Sequence, residues 1–372
     1  MILKKLELVN LRNYEYVNLE FNDRINIFYG NNAQGKTNLL ESIYFLGVTK
    51  SHRTFCDTDL LKEKENFFRI SGTVISEYSY DMQISFENNK KKCFIDGKRK
   101  IKINDYIGKM KVVMFCPEDL NLVKGLPIER RIYLDVQIEQ FSLIGTKYYT
   151  VLNEFNNILK KRNNILKNAA NGSSIDKTYF DVLTKFLINK IVYIYLNRKK
   201  YVERLNDFIG DIYYKLTGYK NLKIVYKTDV SLDNNLEENL TYLFEMNKNK
   251  EFIVGSTLIG PQKDDIEFIL DGKDIKKFGS QGQQRMAVIA LKMASIEILR
   301  KYDKVVPILL LDDVFSELDS EKRDSLFNYI YDNVQTFITT TDINNLDDDL
   351  VSKARIFRVE NGNVVDSGEV VI

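Results

Sequence analysis

The chain opens on alternation. Leu3, Leu6 and Leu8 recur among polar residues, and Val17, Leu19 and Phe21 alternate cleanly, which predicts strands in this opening stretch. Arg24-Ile25-Asn26-Ile27-Phe28-Tyr29 predicts another strand, ending at Gly30. Over 36–47 the period changes: Leu39, Leu40, Ile43, Tyr44 and Leu46 fall at helical spacing. Period two then returns, predicting strands over 67–75, 78–86 and 92–95, with a tight turn at Asp96-Gly97. The apolar run 112–116 predicts a buried strand, stopped by Pro117.

From about 128 to 218 glycines are few and apolar residues recur at three and four. Tyr148, Val151, Leu152, Phe155, Ile158 and Leu159 mark one helix; Phe186, Leu187, Ile191, Ile194 and Tyr195, continued by Val202, Leu205, Ile209 and Ile212, mark another. Asn171-Gly172-Ser173-Ser174 predicts the turn between them. Such helices reach at most roughly 40 residues, about 60 Å, and no heptad pattern persists long enough for an extended coiled-coil arm. The segment 229–249 reads as a polar, acidic connector, after which β-character returns. Ile308-Leu309-Leu310-Leu311 predicts a strand buried on both faces, 336–341 another, and Asn361-Gly362 the turn of a closing hairpin. The expected architecture is α/β: a discontinuous head with mixed sheets over 1–120 and 255–372, interrupted by a mostly helical lobe over 121–254.

Composition narrows the chemistry. With 372 residues, 44% hydrophobic and 28% charged, the chain can bury a core and is not of disordered type. One histidine, His52, and three scattered cysteines, Cys56, Cys93 and Cys116, argue against histidine catalysis, a zinc cluster or a disulfide scaffold. No apolar run reaches membrane-spanning length and the start lacks a signal-peptide core, so a cytoplasmic location is expected. The net charge of +2 favours no partner, but its distribution is uneven. Residues 141–227 hold 16 Lys+Arg against 6 Asp+Glu, a net of +10, leaving −8 elsewhere. That inserted lobe would attract a polyanion. The clusters at Lys90-Lys91-Lys92 and Lys98-Arg99-Lys100 are accounted for by hairpin solubility.

Gly30-Asn31-Asn32-Ala33-Gln34-Gly35-Lys36-Thr37 matches G-x-x-x-x-G-K-[ST] in full, after a predicted strand and before a predicted helix. Its backbone N–H groups would curl around phosphate oxygens at a helix N-terminus. Lys36 would reach the β- and γ-phosphates and the Thr37 hydroxyl a Mg²⁺ ion. A second strand ends at Asp312-Asp313. Asp312 is the expected metal ligand with Thr37, and Asp313 is placed to polarise an attacking water. The excursion of 275 positions between Thr37 and Asp312 fits an ABC-type ATPase layout, in which a third element precedes the aspartates. Gly279-Ser280-Gln281-Gly282-Gln283-Gln284-Arg285 stands there and resembles the signature usually written L-S-G-G-Q. Ser280, Gly282 and Gln283 would meet ATP bound on a partner subunit, so that Ser280 acts in trans. Ser316-Glu317-Leu318-Asp319 resembles the D-loop.

Together these motifs resemble those of the RecF family, bacterial recombination-mediator ATPases related to SMC heads. Leu8 through Tyr14, Ser51-His52-Arg53-Thr54 and Pro117-Glu118-Asp119-Leu120 carry the family-specific part. Lys124-Gly125-Leu126-Pro127 with Arg130-Arg131, and Leu310 through Asp319, extend the likeness over essentially the whole chain. The resemblance implies ATP with Mg²⁺ as cofactors and a homodimer formed around two nucleotides. It further implies DNA binding in that state, recombinase loading at single-strand gaps with RecR and RecO, and a weak, DNA-dependent ATPase. It also implies that Arg12 contacts nucleotide phosphates; for Arg53 a phosphate contact and a structural salt bridge remain equal alternatives. The sequence departs from general ABC heads in lacking a placeable Q-loop glutamine, in carrying Asp313 where glutamate is usual, and in having 339–342 where transporters carry a switch histidine. These departures suit a slow switch better than a motor. A transporter ATPase subunit and an SMC-like DNA-organising head are the competing readings, the first disfavoured by the missing histidine, the second by the short insertion.

Overall fold

The computed structural model describes residues 1–100, 103–142, 144–317, 323, 334–343, 346 and 348–369. They form two compact units. One comprises Met1–Asp119, Ile212–Gly218 and Val288–Ile372, the other Leu120–Asp211 and Tyr219–Ala287.

The first unit begins with β1 (Ile2–Leu11), β2 (Tyr14–Glu20), β3 (Ile25–Tyr29) and α1 (Lys36–Val48), followed by β4 (Phe67–Ile75), β5 (Ser79–Glu87), β6 (Lys90–Ile95), β7 (Lys98–Lys100) and β8 (Val112–Phe115). The second holds α2 (Asn121–Lys124), α3 (Pro127–Glu139), α4 (Gly145–Ala170) and α5 (Lys177–Asn206). After α6 (Ile209–Thr217) come β9 (Leu222–Lys227), α7 (Leu236–Val254), β10 (Asp265–Leu270), β11 (Lys273–Asp274) and α8 (Ile275–Phe278). The chain then forms α9 (Gln281–Ile298), β12 (Ile308–Asp312), β13 (Thr336–Thr340), β14 (Ala354–Glu360) and β15 (Asn363–Glu369).

The first unit is built on two six-stranded sheets. One is antiparallel, in the order β2-β1-β4-β5-β6-β7. Its first strand explains an irregularity in the sequence. Leu3 and Leu6 are three positions apart yet both are fully buried, because a bulge between Leu3 and Lys5 shifts the register against β4. The other sheet runs β15-β14-β3-β13-β12-β8 and is parallel except for the edge hairpin of β14 and β15. Every residue of β12 is buried, as its unbroken aliphatic run requires of a central parallel strand. Leu39, Leu40, Ile43, Phe45 and Leu46 of α1 join one core with both sheets, and Phe21, Phe28, Phe337 and Phe357 pack edge-on and stacked within it.

In the second unit α4 and α5 have 26 and 30 residues, about 39 and 45 Å, inside the bound set by the sequence. The turn between them falls where Asn171-Gly172 predicted it. The expected connector at 229–249 is corrected: much of it belongs to α7. Leu236, Leu240 and Phe244 recur every four positions and are buried, while Glu237 and Glu238 suit the positive end of the helix dipole. The return to the first unit also comes later than residue 255. β10 pairs with β9 in the three-stranded sheet β11-β10-β9, and the Arg130 guanidinium meets Asp265 through Nε at 2.5 Å and Nη2 at 2.8 Å, so these residues belong with the helices.

Arg198 is buried in this unit between two carboxylates, with Nε and Nη2 each 3.0 Å from Asp135 and Nη1 3.3 Å from Asp264. One guanidinium cannot fully compensate both acids, and burial pushes Asp264 up from an ordinary 3.8 to about 6. A raised acid pKa means that the folded state holds a proton the unfolded state has released. Asp264 therefore favours folding below about pH 4, and that contribution is lost as pH rises through about 6. Asp264→Asn is expected to flatten this fall, of order 2–3 kcal/mol at most, in urea titrations of the unit's unfolding between pH 4 and 7.

Candidate functional site

The loop between β3 and α1 has the geometry of an anion cradle. Gly30, at φ 152°, passes so close to β14 that a Cβ would lie 2.3 Å from the Val359 carbonyl oxygen. Gly35, at φ 114°, leaves no room for a side chain beside Asn13 and Tyr14. Asn31, Asn32 and Ala33 form the exposed tip, with Ala33 at φ 64°. α1 starts with neither a side-chain cap nor an acid in its first turn, so its leading N–H groups and dipole are offered to the loop. The Lys36 ammonium is curled over the loop, donating to the carbonyls of Gly30 at 2.5 Å and Asn31 at 2.7 Å. Burial holds its pKa below the usual lysine range, opposed by the charges of Asp313 and Asp312.

Thr37 and Asp312 meet. The Thr37 hydroxyl donates to Asp312 Oδ1 at 3.0 Å, and the Thr339 hydroxyl donates to the same oxygen at 2.7 Å. Thr339 Oγ1 in turn accepts from the Asp313 N–H at 2.9 Å, which holds Asp313 in the left-handed region at φ 50°. Burial raises the Asp312 pKa, the two threonine hydroxyls act against it, and Glu118 adds repulsion. A hydroxyl and a carboxylate converging beside a phosphate cradle are hard oxygen donors of the kind Mg²⁺ takes. Among the described residues no cluster of three or more His, Cys, Asp or Glu side chains is arranged to hold a metal.

Several supporting residues escape sequence reasoning. The Asn13 amide donates to the Gln34 carbonyl at 3.0 Å and Tyr14 OH to the Gly35 carbonyl at 3.0 Å. Gly362 N also donates to the Gln34 carbonyl, at 3.3 Å, and the Asn361 N–H donates to the Gln34 side chain. The loop is thus braced by β1–β2 and by the closing hairpin. Arg12 lies one residue from these braces but is otherwise engaged. Its guanidinium forms a two-pronged pair with fully buried Glu41, both bonds 2.9 Å, and donates to the Asp59 carbonyl at 2.6 Å. Arg53 donates to Asn38 at 3.0 Å and lies 3.9 Å from the same Glu41. Glu41 sits one helical turn beyond Thr37, and the family-specific segments around Arg12 and Ser51 converge on it.

In the second unit, Gly279 through Gln284 open α9. Ser280 Oγ accepts from the Gln283 N–H at 3.2 Å, and Gln283 Oε1 accepts from the Ser280 N–H at 2.9 Å, a reciprocal capping box. Ser280 and Gly282 are exposed. Among the described residues a Cβ at position 282 would meet only Ser280 Oγ, at 3.9 Å. Of the D-loop reading, Leu318 and Asp319 lie outside the described residues.

A family model described as RecF/RecN/SMC N terminal domain matches residues 2–364. Curated proteins named DNA replication and repair protein RecF from Bacillus thuringiensis (strain Al Hakam) and Bacillus cereus (strain B4264) are 38% identical over 375 residues, 98% of this chain and of each relative. A solved structure of the recombination mediator protein RecF-ATP in the RecFOR pathway superposes with a TM-score of 0.90 at 29% identity, covering 98% of this chain and 97% of that one. An Smc head bound to the C-winged helix domain of ScpA, at 15% identity and a TM-score of 0.55, shares the fold alone. On a match that spans nearly its whole length, the chain belongs to the RecF family of DNA replication and repair proteins.

Proposed function

We propose that this chain is an ATP-gated DNA-binding protein of recombinational repair and replication-fork maintenance, working as a homodimer that closes around two nucleotides. The observation that carries this reading is the Thr37–Asp312–Thr339 cluster beside the Gly30–Thr37 cradle. The loop N–H groups, the start of α1 and Lys36 would hold the triphosphate, and Thr37 with Asp312 would hold Mg²⁺. When bound, that ion supplies charge neutralisation at the phosphate oxygens. Asp313 is set by Thr339 on the same side as Lys36's field and would orient the attacking water; as the shorter carboxylate it suits slow turnover.

The exposed, capped start of α9 supports the dimer. The described residues leave the space beside Gly282 open, with Ser280 Oγ the nearest atom at 3.9 Å, which leaves room there for a close approach by the second copy. In this reading Ser280, Gly282 and Gln283 meet the nucleotide held by the second copy. DNA is bound through the basic inserted lobe, hydrolysis releases it, and RecR and RecO act with the dimer at gaps. Support for DNA and for that pathway comes from the RecF relatives, whose names place them in replication, repair and the RecFOR pathway.

Ser280→Asp tests the gate. Aspartate still caps a helix, so α9 stays formed, but it sets a negative charge where a phosphate should dock. Sedimentation with ATP and duplex DNA should show dimerisation weakened by about tenfold or more, with nucleotide binding by the monomer retained. Dimers forming as in the unsubstituted protein would refute the proposal.

A further inference from the structure

We infer that Glu118 is a specificity-determining residue of the nucleotide site: its unpaired carboxylate makes the site take a triphosphate together with a divalent cation and turn away the metal-free anion. The inference rests on the nucleotide reading above and deepens it. β8 runs parallel to β12 with Phe115 opposite Leu311, and β13 and β3 run parallel to both. The segments leaving all four strands therefore emerge at one edge of the sheet. These are Gly30 after β3, Thr341-Asp342 after β13, Asp312-Asp313 at the end of β12, and Cys116 to Leu120 after β8. Pro117–Leu120 forms a single 3₁₀ turn, and its two acids have opposite fates. Asp119 serves the fold. Its carboxylate accepts from the Cys116 N–H at 2.8 Å and from the Lys292 ammonium at 2.7 Å, which also donates to the Met114 carbonyl at 2.8 Å. Glu118, one residue earlier, is exposed and has no hydrogen bond or ion pair among the described residues.

The charge balance at this edge decides what the free carboxylate does. The Glu118 charge is felt at Asp312, whose protonation it favours, so the two carboxylates are close enough to repel. Asp313 adds to that repulsion, and Asp342 is exposed at the same edge. Lys36 opposes Asp312 and Asp313. The other charges beside the turn are matched or absent. Lys292 is held by Asp119, and Glu41 is paired with Arg12, with Arg53 alongside at 3.9 Å. His52 feels both Glu118 and Asp119, yet burial holds its pKa below the usual histidine range. Its two ring nitrogens are buried without a hydrogen-bond partner among the described residues, so near neutral pH it brings no charge. A bare triphosphate adds charge of the same sign beside Glu118, and that repulsion opposes binding. A divalent cation shared by the phosphates, Thr37 and Asp312 reverses the local field, so Glu118 then favours what it otherwise repels.

Isothermal titration of the full chain with ATP, once with Mg²⁺ and once with EDTA at equal ionic strength, tests this. Glu118→Gln should tighten metal-free binding about three- to tenfold and leave Mg²⁺-supported binding equal or weaker. The ratio of the two affinities then falls about threefold or more. Glu118→Lys should push the ratio further the same way, and added salt should shrink the effect, as it does for any exposed charge. Glu77→Gln is the control for net charge. Glu77 is exposed at the turn between β4 and β5, by the Ile2 end of β1 and so at the opposite end of the sheet from Asn13 and Tyr14. It should leave the ratio unchanged. An unchanged ratio in Glu118→Gln, both affinities lowered alike, or a fall of equal size in Glu77→Gln overturns the inference alone. So does ATP binding to the unsubstituted protein equally well with and without Mg²⁺. ATP binding in neither condition overturns the inference together with the nucleotide reading beneath it.

Discussion

Lys36→Ala is expected to weaken ATP binding by about 10- to 100-fold while changing the stability of the first unit by no more than about 1 kcal/mol. The two readouts separate because of where the ammonium sits. It is buried against the Gly30 and Asn31 carbonyls, and burial already holds its pKa down, so its charge is under-solvated in the free protein. A phosphate would restore that lost solvation, which makes the charge worth more to the ligand than to the fold. Deleting it removes a desolvation cost along with two hydrogen bonds, and these offset. Lys36→Arg should not rescue binding, because a planar guanidinium cannot fold back into the space between two carbonyls of one loop. Isothermal titration with ATP and Mg²⁺, beside urea unfolding, checks both parts. ATP affinity within twofold of the unsubstituted protein would remove the loop from the mechanism.

Arg162→Leu is expected to cost the second unit about 3–5 kcal/mol near neutral pH. Arg162 is 1% exposed and donates to Glu251 at 2.6 Å, Thr257 at 2.8 Å and Thr184 at 3.0 Å, between the rings of Phe180 and Phe244. Without it, the fully buried Glu251 carboxylate keeps, among the described residues, the neutral Leu258 N–H at 2.8 Å. Arg162→Leu with Glu251→Leu should recover most of the loss, since an apolar pair replaces a buried ionic one at little net cost. Urea denaturation of the single and double variants beside the unsubstituted protein at pH 7.5 decides it. Equal losses for the single and double variants would show that packing, and not the stranded charge, dominates.

The parts of this molecule that sequence reveals are those fixed by local spacing. The phosphate-cradle motif lies within eight consecutive residues, Gly30 to Thr37, and is recognisable there even though its two glycines are demanded by distant neighbours, Val359 for Gly30 and Asn13 with Tyr14 for Gly35. The Leu-rich β12 and the Asn361-Gly362 hairpin likewise carry their whole signal in a short window. α7 escaped because its buried apolar residues are few, Leu236, Leu240 and Phe244, and polar residues outnumber them along the helix. The late boundary between units escaped because β9 and β10 are strands in a helical lobe, recognisable only by their pairing. At the site, Lys36, Thr37, Asp312 and Asp313 were legible by motif. Thr339, Asn13 and Tyr14 were not, because their roles depend on strands that meet only in three dimensions. Arg12 was legible as important, yet its two-pronged pairing with Glu41 depends on a carboxylate in the middle of α1 that no local pattern marks.

β3 is the third strand to be synthesised, yet it lies between β13 and β14, and the turn after β14 reaches back to Gln34. A growing polypeptide therefore carries its nucleotide loop for most of its time on the ribosome with both edges of the supporting strand bare and sticky. Only when residue 362 has emerged can the loop be clamped. Chains cut short anywhere before that point should be insoluble or quickly degraded, and unable to compete with finished molecules for ATP.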